Sequence, residues 1–224
     1  MNRRRFVIST FSCAVGLSVA PRIIGQTKQI ELDLAAFAEK GKLILFNRSV
    51  SSLNDTAKRG VRLSESQAMG LAYLQAIEFS NGTIECEVRG KDVQQHSFIG
   101  VAFHGIDETT YDAIYFRPFN FRAEDPEKRS HAIQYVSHPT FTWQKLRAEQ
   151  SGKYEHAVNP VPDPNGWFHV RVIVESPKVS VFVADAKEPN LAVNELSDRK
   201  KGLVGLWVGN NSGGDFANFK IVPA

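Results

Sequence analysis

From about residue 40 onward, apolar and polar side chains alternate along the chain with a period of two, in short runs separated by turn residues. The stretch Thr83-Ile-Glu-Cys-Glu-Val-Arg89 is a clear case. Alternate residues of a strand point to opposite faces, so such a run turns one face to a core and the other to solvent. The pattern predicts strands at 42–46, 70–79, 83–89, 98–104, 112–118, 131–137, 168–175, 179–184, 191–196, 203–208 and 216–222. Asn81-Gly82, Gly90-Lys91, Ser176-Pro177, Lys201-Gly202 and Gly213-Gly214 supply turns between them. Helical stripes are nearly absent. The expected fold is all-β: an antiparallel two-sheet β-sandwich with one shared core.

Residues 118–166 break this rhythm. Six of the chain's ten prolines fall there, around the single expected strand at 131–137. Phe119, Phe121, Phe141, Trp143 and Tyr154 argue that the segment is packed, and long ordered loops in a compact domain usually carry function. The span from His96 to His156 also holds five of the six histidines and four of the five tyrosines. An aromatic, titratable loop system on a sandwich reads as the wall of a binding cleft.

Charge changes the picture at the N-terminus. Residues 1–26 carry Arg3, Arg4, Arg5 and Arg22 and no acid, with an apolar run from Phe6 to Ala20. That is the anatomy of an export signal, and consecutive arginines before Phe6 resemble its twin-arginine variant. Without those four arginines the rest of the 224-residue chain carries 23 bases against 24 acids, so the formal charge of +3 gives no warrant for nucleic acid as a partner. No later run is long enough to be a transmembrane segment. Cleavage near residue 26 leaves a domain at 27–224 with Cys86 as its lone cysteine, hence no disulfide, and Cys86 alternates with Ile84 and Val88 as a buried small hydrophobe.

Three stretches carry a resemblance: Ser97-Phe-Ile-Gly-Val-Ala-Phe-His104; Ala113-Ile-Tyr-Phe-Arg-Pro-Phe-Asn-Phe121 followed by Ala132-Ile-Gln-Tyr135; and Gly202-Leu-Val-Gly-Leu-Trp-Val-Gly209 closing with Asp215-Phe-Ala-Asn-Phe-Lys-Ile221. With Trp167-Phe-His-Val-Arg-Val-Ile-Val174 they resemble the concanavalin A-like lectin/glucanase superfamily, and within it the exported bacterial 3-keto-disaccharide hydrolase domain group. The resemblance implies a jelly roll with a saccharide cleft. Two departures stand out. The Glu-x-Asp-x-Glu run of laminarinase-type glucanases is missing, and Ala132 stands where the disaccharide hydrolase group tends to have a Glu.

On the strand 112–118, Tyr115 and Arg117 share one face. On its neighbour, either Gln134 or the pair His131 and Tyr135 faces them. A planar guanidinium and an amide match vicinal hydroxyls or a carboxylate, and aromatic rings stack on pyranose faces. Arg117, Gln134, Trp143, Tyr135 and His138 are therefore candidate substrate-binding residues, with His131, Tyr115 and His104 as candidate acids or bases. Asp215, in a Gly-rich turn, is a candidate ligand of a structural calcium ion, and no cofactor is required. The expectation is an exported carbohydrate-active protein, a glycoside hydrolase or polysaccharide lyase; the alternative is a non-catalytic carbohydrate-binding domain. A lyase would abstract a proton next to a uronate carboxylate held by Arg117 and Gln134, with Tyr115 and a histidine as acid and base. A hydrolase would recruit acids from Glu87, Asp112, Glu124 or Glu155.

Overall fold

The structure, a computed structural model, describes residues 29–53 and 58–224; the expected signal at 1–26 and its Cys13 lie outside them. The chain begins with β1 (Ile30–Leu32), α1 (Leu34–Glu39), β2 (Leu43–Phe46), β3 (Val50–Ser52), β4 (Gly60–Leu63), β5 (Gly70–Phe79) and β6 (Gly82–Arg89). Next come β7 (Ile99–Gly105), β8 (Tyr111–Phe116), α2 (Pro126–Ser130), β9 (Ile133–His138), α3 (Trp143–Glu149) and β10 (Glu155–His156). It closes with β11 (Phe168–Glu175), β12 (Lys178–Val183), β13 (Leu191–Asn194), β14 (Gly202–Val208) and β15 (Gly214–Pro223).

These strands form two antiparallel sheets. The first runs β13-β12-β11-β6-β15-β4-β3, with β1 also paired to β15; the second runs β10-β9-β8-β7-β14-β5-β2. The fold is thus the expected all-β two-sheet sandwich. All eleven strands predicted from periodicity are present, with ends moved by up to two residues. Short strands β1, β3, β4 and β10 and the helices add to them. Each helix is seven residues or fewer and all three have side-chain N-caps that fix their starts: Asp33 for α1, Asp125 for α2 and Thr142 for α3. Such brief elements leave no periodic stripe in the sequence. Among the described residues no helix is long and apolar enough to cross a membrane.

The two sheets differ in a way that locates the site. In β6 and β11 burial alternates: Ile84, Cys86 and Val88, and Phe168, Val170, Val172 and Val174, face the core, while Glu85, Glu87, His169 and Arg171 point outward. This sheet has one wet face. In β7 and β8 every residue is buried. Their inner face packs on the first sheet, where Phe116 meets Phe168 with ring centroids 5.4 Å apart. Their outer face must be roofed by something else, and what roofs it are the segment carrying α3 and the loops flanking β5, β7 and β14.

Candidate functional site

The register across the second sheet lines up Glu155 (β10), Gln134 (β9), Tyr115 (β8), Gly100 (β7), Trp207 (β14), Leu71 (β5) and Phe46 (β2) in one transverse row. The absence of a side chain at Gly100 is required, since a Cβ there would sit 2.0 Å from the Ile114 carbonyl oxygen and 2.6 Å from Tyr115 Cα. It also lets the rings on either side meet: Tyr115 and Trp207 pack with centroids 4.7 Å apart. Trp207 Nε1 donates to Tyr111 Oη at 3.1 Å, Tyr111 Oη donates to Met69 Sδ at 3.2 Å, and Tyr111 stacks on His138. The result is an aromatic floor, its Tyr115 and Trp207 rings tilted by 31°, held from beneath by the sheet.

At one end of this floor Arg117 follows directly after β8. Its Nη2 donates to Tyr115 Oη at 2.7 Å and to Gln134 Oε1 at 2.5 Å, and its Nη1 donates to the His131 carbonyl at 2.7 Å. Tyr115 Oη donates in turn to Gln134 Oε1 at 2.8 Å, while Gln134 Nε2 is buried without an acceptor. Burial pushes the Tyr115 hydroxyl up and the Arg117 guanidinium down from their ordinary values. Tyr115 therefore stays a neutral phenol. Burial likewise lowers both His131 and His138, which keeps each imidazole uncharged at neutral pH.

Above the floor lies a cleft of about 570 Å³. Trp143, Gln144 and Arg147 of α3 form one wall; Met69, Asn210 and Phe98 contribute to the others. Trp143 is half-exposed, and the Arg147 guanidinium lies 5.1 Å from its ring centre, one helical turn away. Arg147 also grips Glu155 through two bonds, Nε to Oε1 at 3.0 Å and Nη2 to Oε2 at 2.7 Å. No Asp or Glu lines this cleft among the described residues.

Of the residues singled out from the sequence, the structure brings Tyr115, Arg117, Gln134, Trp143 and His138 to this cleft or its floor. Trp143 is the first residue of a helix rather than part of a loop. His131 caps α2 beside the cleft instead of starting β9, and its Nδ1 lies 2.9 Å from Glu155 Oε2. Two residues go elsewhere. Tyr135 has the opposite parity to Gln134, so its hydroxyl lies between the sheets and donates to Asp112 Oδ1. At His104, a candidate acid or base, β7 holds one extra residue against β14, and the residue takes φ +48°. That bulge turns the imidazole inward. It is fully buried, with Nε2 2.7 Å from the Ser80 carbonyl and Nδ1 3.2 Å from Glu195 Oε1, and cannot reach a ligand in the cleft.

Asp215 is also corrected. Its two oxygens take four hydrogen bonds from Arg62 and Arg89, at 2.6–2.9 Å, on the wet face of the first sheet. Both oxygens are thus engaged by guanidinium groups, and no group of three His, Cys, Asp or Glu suited to a metal occurs among the described residues. Asp215→Ala, which removes an acceptor shared by both arginines, should cost about 1–3 kcal/mol of stability. Thermal melts of the native protein should be the same with calcium and with chelator; a calcium-dependent shift would restore the ion site. The candidate hydrolase acids are dispersed as well: Glu87 faces outward from the first sheet, Asp112 is buried between the sheets, Glu124 is exposed and Glu155 is tied to Arg147.

Sequence periodicity pointed to Tyr115 and Arg117 but missed Trp207, Tyr111, Phe98 and Arg147. Trp207 lies in a regular strand between Leu206 and Val208 and is buried with them, yet it also lines the cleft. Its parity with Gly205 and Gly209 was the available clue, since flanking glycines on one face leave room for a ring or a ligand.

These features define an antiparallel two-sheet β-sandwich with an aromatic cleft on the outer face of one sheet. Solved structures share the fold. The carbohydrate-binding module CBM66 from Bacillus subtilis aligns with a TM-score of 0.58 at 13% identity, over 80% of this chain and 95% of that one. A Bacillus subtilis protein of unknown function with a galectin-like fold aligns with a TM-score of 0.57 at 11% identity, over 87% and 94%. No protein-family model matches the chain, and no curated protein matches it in sequence.

Proposed function

We propose that the protein binds a saccharide in this cleft. One observation carries the reading: an aromatic floor and a half-exposed Trp143 face amide and guanidinium groups across a cleft that no carboxylate lines. Sugars present one apolar face to stack and a rim of hydroxyls to hydrogen-bond, and this lining offers both. The shared fold with a carbohydrate-binding module supports it. Glycoside hydrolysis ordinarily needs two carboxyl groups about 5–10 Å apart across the scissile bond. The cleft lining offers none, which favours binding over hydrolysis. The second reading is an enzyme, as the resemblance to the 3-keto-disaccharide hydrolase group suggests. It is favoured by the His131–Glu155 pair, in which a carboxylate orients an imidazole kept neutral, beside Arg117. The arginine-led segment at 1–26 supports action outside the cytoplasm.

Trp143→Ala tests the reading. The side chain is half-exposed, so its loss should leave the melting temperature almost unchanged. Affinity for a bound oligosaccharide, measured by calorimetry across a glycan panel, should fall roughly tenfold or more, the mark of an aromatic anchor. Unchanged affinity would remove the cleft from consideration. Following the same panel for new reducing ends or unsaturated products separates the two readings: turnover abolished by His131→Ala would establish the enzyme.

A further inference from the structure

Arg117 is 5% exposed, and every hydrogen bond its guanidinium makes goes to a neutral acceptor: the Tyr115 hydroxyl, the Gln134 amide oxygen and the His131 carbonyl. Buried cations in folded proteins are ordinarily paired with an anion. The carboxylate that comes nearest to that role is Glu155, and it is already engaged twice by Arg147 and faced by His131. Arg199, on the other side of β8, is likewise matched by Asp112. Arg117 and Arg147 therefore share one carboxylate, whereas Arg48, buried behind Ala68 and Gly209 of the lining, is held by backbone carbonyls of Ser66, Ala68, Gly209 and Ser212; at the Gln134 end of the cleft the uncompensated charge rests on Arg117. Beside it, the Gln134 amide keeps a second donor without an acceptor. A site with surplus positive charge, an unmet donor and no acid in its lining is built for an oxyanion.

From this we infer that the saccharide is an acidic one, whose carboxylate or sulfate lies at the Arg117 end of the cleft and supplies the anion that the fold leaves out. The inference rests on the saccharide-binding reading above and narrows its substrate class. It holds whether or not the protein is an enzyme. It also fixes which end of the ligand enters where. A second cavity, which shares the lining residues Ala68 and Met69 with the first, is bordered by Phe46, Leu71 and Glu108, so its charge is of the wrong sign for an acid group. Uncharged units of a longer chain belong there.

The test varies the ligand before it varies the protein. The full exported chain is titrated with three matched sets of oligosaccharides: uronate oligomers, the same oligomers with their carboxyls methyl-esterified, and sulfated against unsulfated neutral oligomers. Uronates or sulfated sugars should bind roughly tenfold or more tightly than their esterified or unsulfated partners, and that preference should shrink as salt is raised. Which acidic set wins identifies the source of the anion. Arg117→Gln, which removes the charge, should weaken binding of the acidic sugar more than that of its neutral analogue and so shrink the preference between them at least several-fold. Because the ester comparison uses the unaltered protein, it decides the matter even if that variant fails to fold. Equal binding of charged and uncharged sugars would overturn the acidic assignment and leave saccharide binding standing. No binding of any sugar would overturn both.

Discussion

Asp112→Ala is expected to lose about 3–5 kcal/mol of folding stability, the usual cost of removing one partner from a buried charged network. Asp112 has no exposed surface. One oxygen accepts from Tyr135 Oη at 2.8 Å; the other accepts from Ser197 Oγ at 2.8 Å and Arg199 Nη2 at 3.1 Å. Those bonds pin the segment after β13 onto the inner face of the second sheet, where Leu196 N also donates to Tyr135 Oη. Alanine would strand the Tyr135 and Ser197 donors and leave the Arg199 cation without its carboxylate. Thermal unfolding should shift down by roughly 10 °C. Affinity per folded molecule should be untouched, because the cleft lies on the opposite face of β8. A loss below about 1 kcal/mol, within the range of an exposed pair, would show that the network is not buried in solution. The same network makes a pH prediction. Burial alone would raise Glu195, but His104 and Ser176 near its oxygens, with Lys200, outweigh this and hold its carboxyl below the ordinary 4.5. A depressed carboxyl stabilises the fold fully above that ordinary value and loses its contribution as pH falls through the lowered one. Glu195→Gln should therefore lower the neutral plateau of the stability curve and flatten its acid limb, so that the variant and native curves converge at low pH.

The strands were legible because each of them buries one face or two, and burial writes itself into the sequence as alternation or as an apolar run. Glu85-Cys86-Glu87 illustrates the first: the acids stay wet while burial pushes the Cys86 thiol up and keeps it inert. His104 shows where the method stops. Parity counted from Ile99 would put it on the same face as Gly100 and Ala102, and one inserted residue at a positive φ reverses that. A bulge has no signature in a single sequence unless a glycine marks it, and here the strained position is a histidine. Tyr135 failed for a related reason. Alternation fixed that Gln134 and Tyr135 point opposite ways, but only the pairing of Tyr115 with Gln134 determines which of them joins Arg117.

The site itself was half legible. Tyr115 and Arg117 are two residues apart, so one strand carries both, whatever the rest of the fold does. The floor is different, because Gly100, Trp207 and Leu71 come together only when β7, β14 and β5 lie side by side. Their separations along the chain are long, and nothing local announces them. The sequence marks Arg117 as a candidate substrate-binding residue but does not show that it is buried. Its position at 5% exposure, bonded to three partners, makes it structural and functional at once, so the uncompensated charge, rather than stability, is the property that distinguishes its role.

Trp207→Ala should have the largest effect on the cleft. The indole is 3% exposed, and deleting a buried aromatic side chain costs about 3–5 kcal/mol through lost transfer energy and the cavity left behind. It would also free the Tyr115 ring from its stack and leave Tyr111 Oη without its donor. Burial pushes that Tyr111 hydroxyl up to about 12, so it remains a neutral donor to Met69 throughout the working pH range. Because Gly100 beneath the rings has no side chain to fill the gap, the floor cannot close by a local rotamer change. Saccharide affinity should fall with stability in this variant, unlike Trp143→Ala, where affinity alone falls. Trp207→Phe separates floor from bond: it keeps a flat ring over Gly100 and loses only the Nε1 donor. Its affinity should stay within severalfold of the native protein, with a stability loss well short of the alanine variant's. If the phenylalanine variant bound sugar as poorly as the alanine one, the hydrogen bond to Tyr111 rather than the aromatic plane would be what shapes the cleft.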